Sequence, residues 1–302
     1  MDISIAIFSY NRGDYVKNCL DSAKRCFPDA PVTIYDDAST DQKTLTYFES
    51  LDYQVINCRS TVKDRHGGLY NNMQLALDAA KSKYLLLLQD DTQLVREFDE
   101  VDVTCIDSFF DHNQQAAFLN PVFLKGHRRK SIDKQLRPQI NYRGYFQEIS
   151  ERFKPRPVSM YYCDVVLVHV ERLKSVGWVF EDSETSNALQ ARKHFSKMLQ
   201  LADPFVMHVP EVPVFRGKKS TLGARLAEKA VGTDVKQFQI MTNSAVADMR
   251  ERRLSLAPYA EDFLSTTNPN VRKPYNYNAI NSHLYTRILH KLEYGVGRLL
   301  RR

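Results

Sequence analysis

The 302-residue sequence has no apolar run approaching the about 20 residues that a membrane-spanning helix needs. Cysteine is sparse: Cys19, Cys26, Cys58, Cys105 and Cys163 make an odd count with no C-x-x-C pair. That pattern gives neither a disulfide framework nor a zinc site, and predicts reduced, mostly buried thiols in the cytosol. The start, "MDISIAIFSYNR", lacks a basic n-region, so no secretory signal is expected. Glycine is also scarce where a phosphate loop would need it, since "SYNRGDYV" holds a single one. Nor is there a large charge excess. The net charge is +6, of which +4 falls between Asn281 and Arg302, leaving the body nearly balanced.

What is present is an alternation of short apolar runs and amphipathic segments. "ISIAIF" (Ile3–Phe8), "VTIYDD" (Val32–Asp37), "YQVINC" (Tyr53–Cys58) and "KYLLLLQ" read as strands. Between them, Asp14–Cys26, a segment opened by "ASTD", and a segment marked by Leu69, Met73, Ala76, Leu77 and Ala80 read as helices. Alternation of this kind predicts an α/β fold with a mostly parallel central sheet and helices on both faces. Ligands in such sheets collect beyond the carboxyl ends of the strands. Three of those ends are polar here: "SYN", "DDAST" and "QDDT". Farther along, "AAFLNPVFL", "MYYCDVVLVHV" and "PFVMHVPEVPVF" read as strand. "ERLKSVG" reads as a short helix closed by Gly177, and Glu184–Leu201 and Val235–Leu254 read as helices. Ser265–Asn278 reads as a linker before the tail.

Each polar strand end has an ordinary structural explanation and a chemical one. Asp90 and Asp91 form either an acidic turn or a pair that a divalent cation would neutralise through hard oxygen ligands. "YDDASTD" offers a helix cap in its Ser39–Asp41 part, and in Asp37 a carboxylate for base N–H groups or ribose hydroxyls. Tyr10 either packs or stacks on a nucleobase. Lys63 and Arg65 in "VKDRHGG" either lie in a solvated loop or meet phosphate. Arg216, Lys218 and Lys219 in "VFRGKKST" form a basic turn or a loop that closes over a diphosphate. "KGHRRK" with nearby aromatics is the one hint of nucleic-acid contact; no motif supports it, and none is expected.

Taken in order, "SIAIFSYN", "YDDASTD" and "YLLLLQDD" resemble family 2 of the inverting glycosyltransferases with the GT-A fold. That family shows an S-[IV]-x-I-x-x-[YF]-N strand, a D-D-x-S-x-D strand end and a D-x-D-like motif after a hydrophobic strand. The likeness covers about the first third of the chain, and "VERLKSVGWVFED" is similar to a further family segment. The resemblance implies a GT-A domain over residues 1–232, with nucleotide-sugar binding in 1–95 and the acceptor half in 96–232. A helical C-terminal extension over 233–302 follows. It implies a nucleotide-diphosphate sugar as donor and Mn²⁺ or Mg²⁺ as cofactor. Ser9 and Tyr10 would hold the base, Asp37 the base or ribose, Lys63 the donor, and Asp90 and Asp91 the metal. Leu88 stands where a fuller motif has its first acid. In "FEDSETSNALQARKHF", Glu181, Asp182 and Glu184 are all candidates for the catalytic base, each also explicable as an acid at a helix start.

The tail, "SHLYTRILHKLEYGVGRLLRR", places Tyr285, Ile288, Leu289, Leu292, Val296, Leu299 and Leu300 on one helical stripe with basic flanks. Such a helix suits an anionic membrane surface, or packing on the protein itself. The resemblance thus implies a metal-dependent inverting transferase acting on a glycan or lipid-linked hydroxyl. The expected setting is the cytoplasm, peripheral to its membrane. The alternatives are a non-catalytic nucleotide-sugar-binding relative and a sugar nucleotidylyltransferase.

Overall fold

The structure, a computed structural model, describes residues 2–58, 68–148, 161–213 and 221–299. Its first half alternates as the apolar runs require. β1 (Ile3–Ser9), α1 (Gly13–Cys26), β2 (Val32–Asp36), α2 (Gln42–Glu49), β3 (Gln54–Asn57), α3 (Leu69–Ala79) and β4 (Tyr84–Gln89) follow one another. Then come β5 (Thr92–Leu94), α4 (Glu100–His112), β6 (Phe118–Asn120), a short α5 (Arg129–Ile132), β7 (Leu136–Gln139) and β8 (Gly144–Gln147). The chain continues with β9 (Val166–His169), α6 (Val170–Ser175), α7 (Glu184–His194), β10 (Leu199–Leu201) and β11 (Val206–His208). It closes with α8 (Leu222–Val231), α9 (Asn243–Glu251), a short α10 (Ala260–Phe263) and α11 (Leu284–Leu299).

Nine strands form one sheet in the order β3-β2-β1-β4-β9-β6-β10-β8-β7, and β11 pairs with β5 beside it. β3, β2, β1 and β4 are mutually parallel, whereas β9 runs antiparallel to both β4 and β6. This is the mixed α/β, mostly parallel sheet that the alternation predicts. Successive side chains of a strand point to opposite faces, and the two cores divide accordingly. Ile3, Ile5, Ile7, Tyr84, Leu86 and Leu88 pack with Val16, Leu20 and Ala23 of α1 and with Phe109 and Phe110 of α4. Ala6, Phe8, Leu85 and Leu87 pack on the other face with Met73 and Leu77 of α3 and Ala188 and Ala191 of α7. Leu88, standing where the resemblance expects an acid, is fully buried.

Register carries the polar ends to one edge. Ser9 lies opposite Asp36, and Phe8 opposite Gln89. The ladder then runs one step further, with the Asp37 N–H on the Ser9 carbonyl (2.9 Å) and the Asp90 N–H on the Phe8 carbonyl (3.0 Å). α6 ends as its glycine requires: Gly177 takes φ +64°, and the Trp178 N–H returns to the Leu173 carbonyl at 3.0 Å.

Three expectations need correction. The helix expected over Glu184–Leu201 stops at His194, because Leu199 and Gln200 pair with β6 and Gln200 and Leu201 with β8. The helix expected over Val235–Leu254 is confined to α9, which starts where the Thr242 side chain accepts the Ala245 N–H. Before it, Phe238 is committed to the core against Tyr275 and bridges Thr266 in the strand sense. The stretch expected to be a linker, 265–278, instead packs back on the body: Tyr275 is buried, and the Glu211 and Val212 N–H groups bond the Asn276 and Tyr277 carbonyls, each at 2.8 Å. Among the described residues no helix is long and apolar enough to cross a membrane.

Candidate active site

Two adjoining hollows open at the carboxyl edge of the sheet. The first, about 190 Å³, is lined by Ser9, Tyr10, Arg12, Asp37, Asn72, Gln89, Asp90 and Asp91, among others. The second, about 620 Å³, shares Gln89 and adds Lys125, Asp164, Glu184, Gln200, His208 and Tyr277. Residues remote in sequence therefore border two hollows that share Gln89 as a common wall.

Local hydrogen bonds build its walls. Asn11 adopts φ +52° and Ala38 φ +55°, so both strand-end loops bend sharply. The Asn11 side-chain oxygen accepts the Thr40 and Asp41 N–H groups (2.7 and 2.9 Å), and the Asn11 N–H donates to Ser39 Oγ (2.7 Å), stitching the first loop to the second. Asp36 is spent on Ser39, whose N–H and hydroxyl it accepts. That leaves Asp37 facing the hollow, where one of its oxygens accepts the Gly68 N–H at 2.7 Å. A side chain at 68 would push Asp37 out of this place, since a Cβ there would lie 2.1 Å from Asp37 Oδ1.

The acidic pair is buried and tightly held. Ser9 Oγ donates to Asp90 (3.3 Å), and the Arg12 guanidinium reaches Asp90 at 3.4 Å and Asp91 at 2.7 Å. The Tyr277 hydroxyl donates to the same Asp91 oxygen at 2.6 Å. Burial pushes Asp90 above the usual carboxylate range against the pull of Arg12. Burial also works against Asp91, but His208, Arg12 and Tyr277 together outweigh it and hold that carboxylate well below its ordinary value. Arg12 extends further, to the Pro213 carbonyl at 3.1 Å.

Fold geometry explains how His208 arrives. β11 runs antiparallel to β5, pairing His208 with Thr92, and the Val209 N–H bonds the Asp91 carbonyl at 3.0 Å. His208 Nδ1 then faces Asp91 Oδ1 at 3.8 Å. That is beyond hydrogen-bond length, and both atoms are buried without a hydrogen-bond partner. Two buried atoms without a hydrogen-bond partner thus face one gap beside a second carboxylate, and with Nδ1 unprotonated this pair would suit a divalent cation. An imidazole with carboxylates suits Mn²⁺ better than Mg²⁺. Among the described residues, no group of three or more His, Cys, Asp or Glu side chains is positioned to hold a metal ion by itself. Arg12 holds the carboxylates in that arrangement.

In the second hollow, Ser183 caps α7 by accepting the Ser186 N–H, and the Asn187 amide bonds Glu181 and Ser183 main-chain groups, fixing the approach to the helix. Glu184 begins the helix and lines the cavity. Burial, with Asp164 as a negatively charged neighbour and Lys125 as a partial offset, raises its carboxyl to about 7. Asp182 and Glu181 are exposed and do not line this cavity. Lys63, Arg65, Arg216, Lys218 and Lys219 lie outside the described residues. The "KGHRRK" segment is divided between uses: Lys125 stands over the Tyr277 ring at 5.1 Å, and Arg129 holds Asp262 with 2.7 Å contacts.

Sequence reasoning missed Arg12, Lys125, Asp164, His208 and Tyr277. Arg12 sits inside the quoted "FSYNR" and was legible as a cation near the acidic pair. Tyr277 had no signal, because its stretch reads as a connector and its place depends on pairing with 211–212.

The model for glycosyl transferase family 2 matches residues 4–166. The chain belongs to glycosyltransferase family 2, a family of sugar-transferring enzymes. Solved structures similar to it include residues 1–349 of Staphylococcus aureus TarS, with 17% identity and a TM-score of 0.46 over 68% of this chain and 60% of that one. A longer TarS structure gives the same identity and TM-score over 68% of this chain and 36% of its own. The chain thus spans under two thirds of either. No curated protein matches the chain.

Proposed function

We propose that the protein transfers a sugar from a nucleotide-diphosphate sugar to a hydroxyl of a glycan or lipid-linked acceptor, with inversion and with a divalent cation. The observation that carries this is the convergence of Tyr10, Asp37, Asp90 and Asp91 on one hollow that opens at Gln89 into a second containing Glu184. Tyr10 stacks on the base, Ser9 helps to hold it, and Asp37 binds base or ribose. Asp91, with Asp90 and His208 beside it, would hold the cation together with donor phosphate oxygens, and the cation would supply charge neutralisation for the diphosphate leaving group. Asp182 stands outside this assignment. Glu184 accepts the acceptor hydroxyl proton, and the freed oxygen attacks the anomeric carbon from the face opposite the diphosphate. Arg12, already among these carboxylates, is placed to meet donor phosphate. Five free cysteines support a cytoplasmic setting.

A thermal-shift screen of nucleotide diphosphates, with and without Mn²⁺, tests the donor half. One nucleobase only, and only with metal, is expected to raise the melting temperature; at about 100 times its Kd the gain is about 2.7 kcal/mol. No stabilisation by any nucleotide sinks the proposal. Stabilisation without sugar transfer in a product assay would favour a non-catalytic relative.

The proposal extends to an anionic membrane surface as partner of α11. One face of that helix docks on α8: Glu293 accepts the Leu222 and Gly223 N–H groups at 2.7 and 2.8 Å, and His290 meets Thr221 at 3.0 Å. The other face leaves Leu284 63%, Ile288 49% and Leu292 61% exposed, with exposed Arg287 and Lys291 along one edge. Each basic residue near such a surface contributes about 1 kcal/mol. Co-sedimentation is expected with vesicles rich in anionic lipid, weakening with salt, and the double charge reversal R287E/K291E should reduce it about tenfold or more. Equal binding to neutral vesicles, or none to anionic ones, would remove the membrane from this account.

A further inference from the structure

A third cavity, of about 290 Å³, takes no part in the proposed reaction. It is walled by Glu211, Lys236, Asn268, Arg272, Asn276 and Ser282, among others. Its wall is continuous with the active site, because Asn276 immediately precedes Tyr277 and the Glu211 N–H bonds the Asn276 carbonyl at 2.8 Å.

Two of its groups are unsatisfied. Lys236 is only 6% exposed, and among the described residues its ammonium makes no hydrogen bond or ion pair. Glu211 lines the same space without pairing with it. Ser282 Oγ is buried and also lacks a hydrogen-bond partner. A lysine this buried is usually paired, and here the ammonium faces the cavity with no anion paired to it among the described residues. Arg272 adds a second cation at the exposed side of the cavity. An ammonium, a guanidinium and a free hydroxyl line this one cavity, and together they are the kind of donor set that grips an oxyanion through charge-assisted hydrogen bonds. Glu211 opposes a bare anion but accepts a hydroxyl, so a phosphate on a hydroxyl-bearing carrier matches the wall better than phosphate alone. The volume lies at the small end of ligand sites, about 300–1,000 Å³, and suits a sugar-sized monophosphate rather than a nucleotide.

We propose that this cavity binds the phosphate group of a small phosphorylated sugar, at a site separate from the donor hollow. Isothermal titration of the full chain in chelator-treated, metal-free buffer tests it, with inorganic phosphate and glucose 6-phosphate as separate probes. Saturable binding is expected for both, tighter for glucose 6-phosphate. Lys236→Met should weaken it about tenfold or more, since a charge-assisted hydrogen bond is lost. Lys236→Arg should retain it, and Asp91→Asn should leave it unchanged. Equal affinity for the two probes would assign the site to free phosphate and overturn the sugar part. Absence of saturable binding, binding unchanged in folded Lys236→Met, or binding lost in folded Asp91→Asn would overturn the site. Circular dichroism establishes folding. If Lys236→Met does not fold, Ser282→Ala takes its place, and undiminished binding there overturns the assignment.

Discussion

Replacing Asp91 with asparagine is expected to lower kcat/KM for sugar transfer about a thousandfold, on the order of 4 kcal/mol in the barrier. The substitution keeps the side chain's shape and removes its charge. Asp91 is 4% exposed, accepts Arg12 at 2.7 Å and Tyr277 at 2.6 Å, and presents its other oxygen to His208. Without the charge, Arg12 has only Asp90, at 3.4 Å, as a carboxylate partner among the described residues. Cation affinity should fall with it, which Mn²⁺ titration followed by electron paramagnetic resonance would read independently of turnover. Stability should also drop, because removing one partner of a buried ion pair costs about 3–5 kcal/mol. Kinetics therefore need a protein shown to be folded at the assay temperature. Undiminished metal-dependent transfer in folded Asp91→Asn would mean that the acidic pair is only structural.

The second large effect is at Glu184. Glu184→Gln should reduce kcat by about 10²–10⁴-fold, the range for loss of a positioned general base. The base must be ionised, and burial raises its pKa to about 7. Wild-type activity should therefore fall as pH drops through about 7, roughly tenfold per unit below it. The residual rate of the glutamine variant should lack that limb. Stability has the opposite dependence. A carboxyl raised from 4.5 to about 7 favours the neutral form in the folded state, so its contribution declines as pH rises through this window. Glu184→Gln should melt higher than wild type above that window, by about 1–2 kcal/mol after allowance for partial exposure. Below it the two should coincide. An unchanged pH–rate profile in the variant would pass the base's role to another group, with Asp164 next in the same cavity.

The first four strands were legible because each is a short apolar run feeding a polar turn, and parallel pairing then sets their ends side by side. Family-like order in those turns located Ser9, Tyr10, Asp37, Asp90 and Asp91 on one rim. Beyond Asp99, "AAFLNPVFL", "MYYCDVVLVHV" and "PFVMHVPEVPVF" do contain β6, β9 and β11, and "ERLKSVG" does form α6, but other signals fail for definable reasons. β10 is three residues long, too short for a period, and exists through partners supplied by distant segments. "FSKMLQL" continues a helical pattern on paper, yet pairing with β6 and β8 claims its end. His208 points into the site because an antiparallel partner for β5 fixes its register, and no local pattern announces that. Tyr277 sits amid asparagines and a proline, residues that ordinarily mark a connector.

The docking of α11 on α8 has a mechanical consequence. Glu293 supplies the acceptors for the first two amide groups of α8, and a Cβ on Gly223 would lie 2.7 Å from the His290 nitrogen, so the helices sit in backbone contact. Such a joint transmits tilt rather than absorbing it. On the proposed contact of the apolar stripe with lipid, such a joint would fix how α8 is held relative to that surface. The tail would then serve as a bracket that limits how far from that plane an acceptor hydroxyl could be reached, where a slack tether would allow a range.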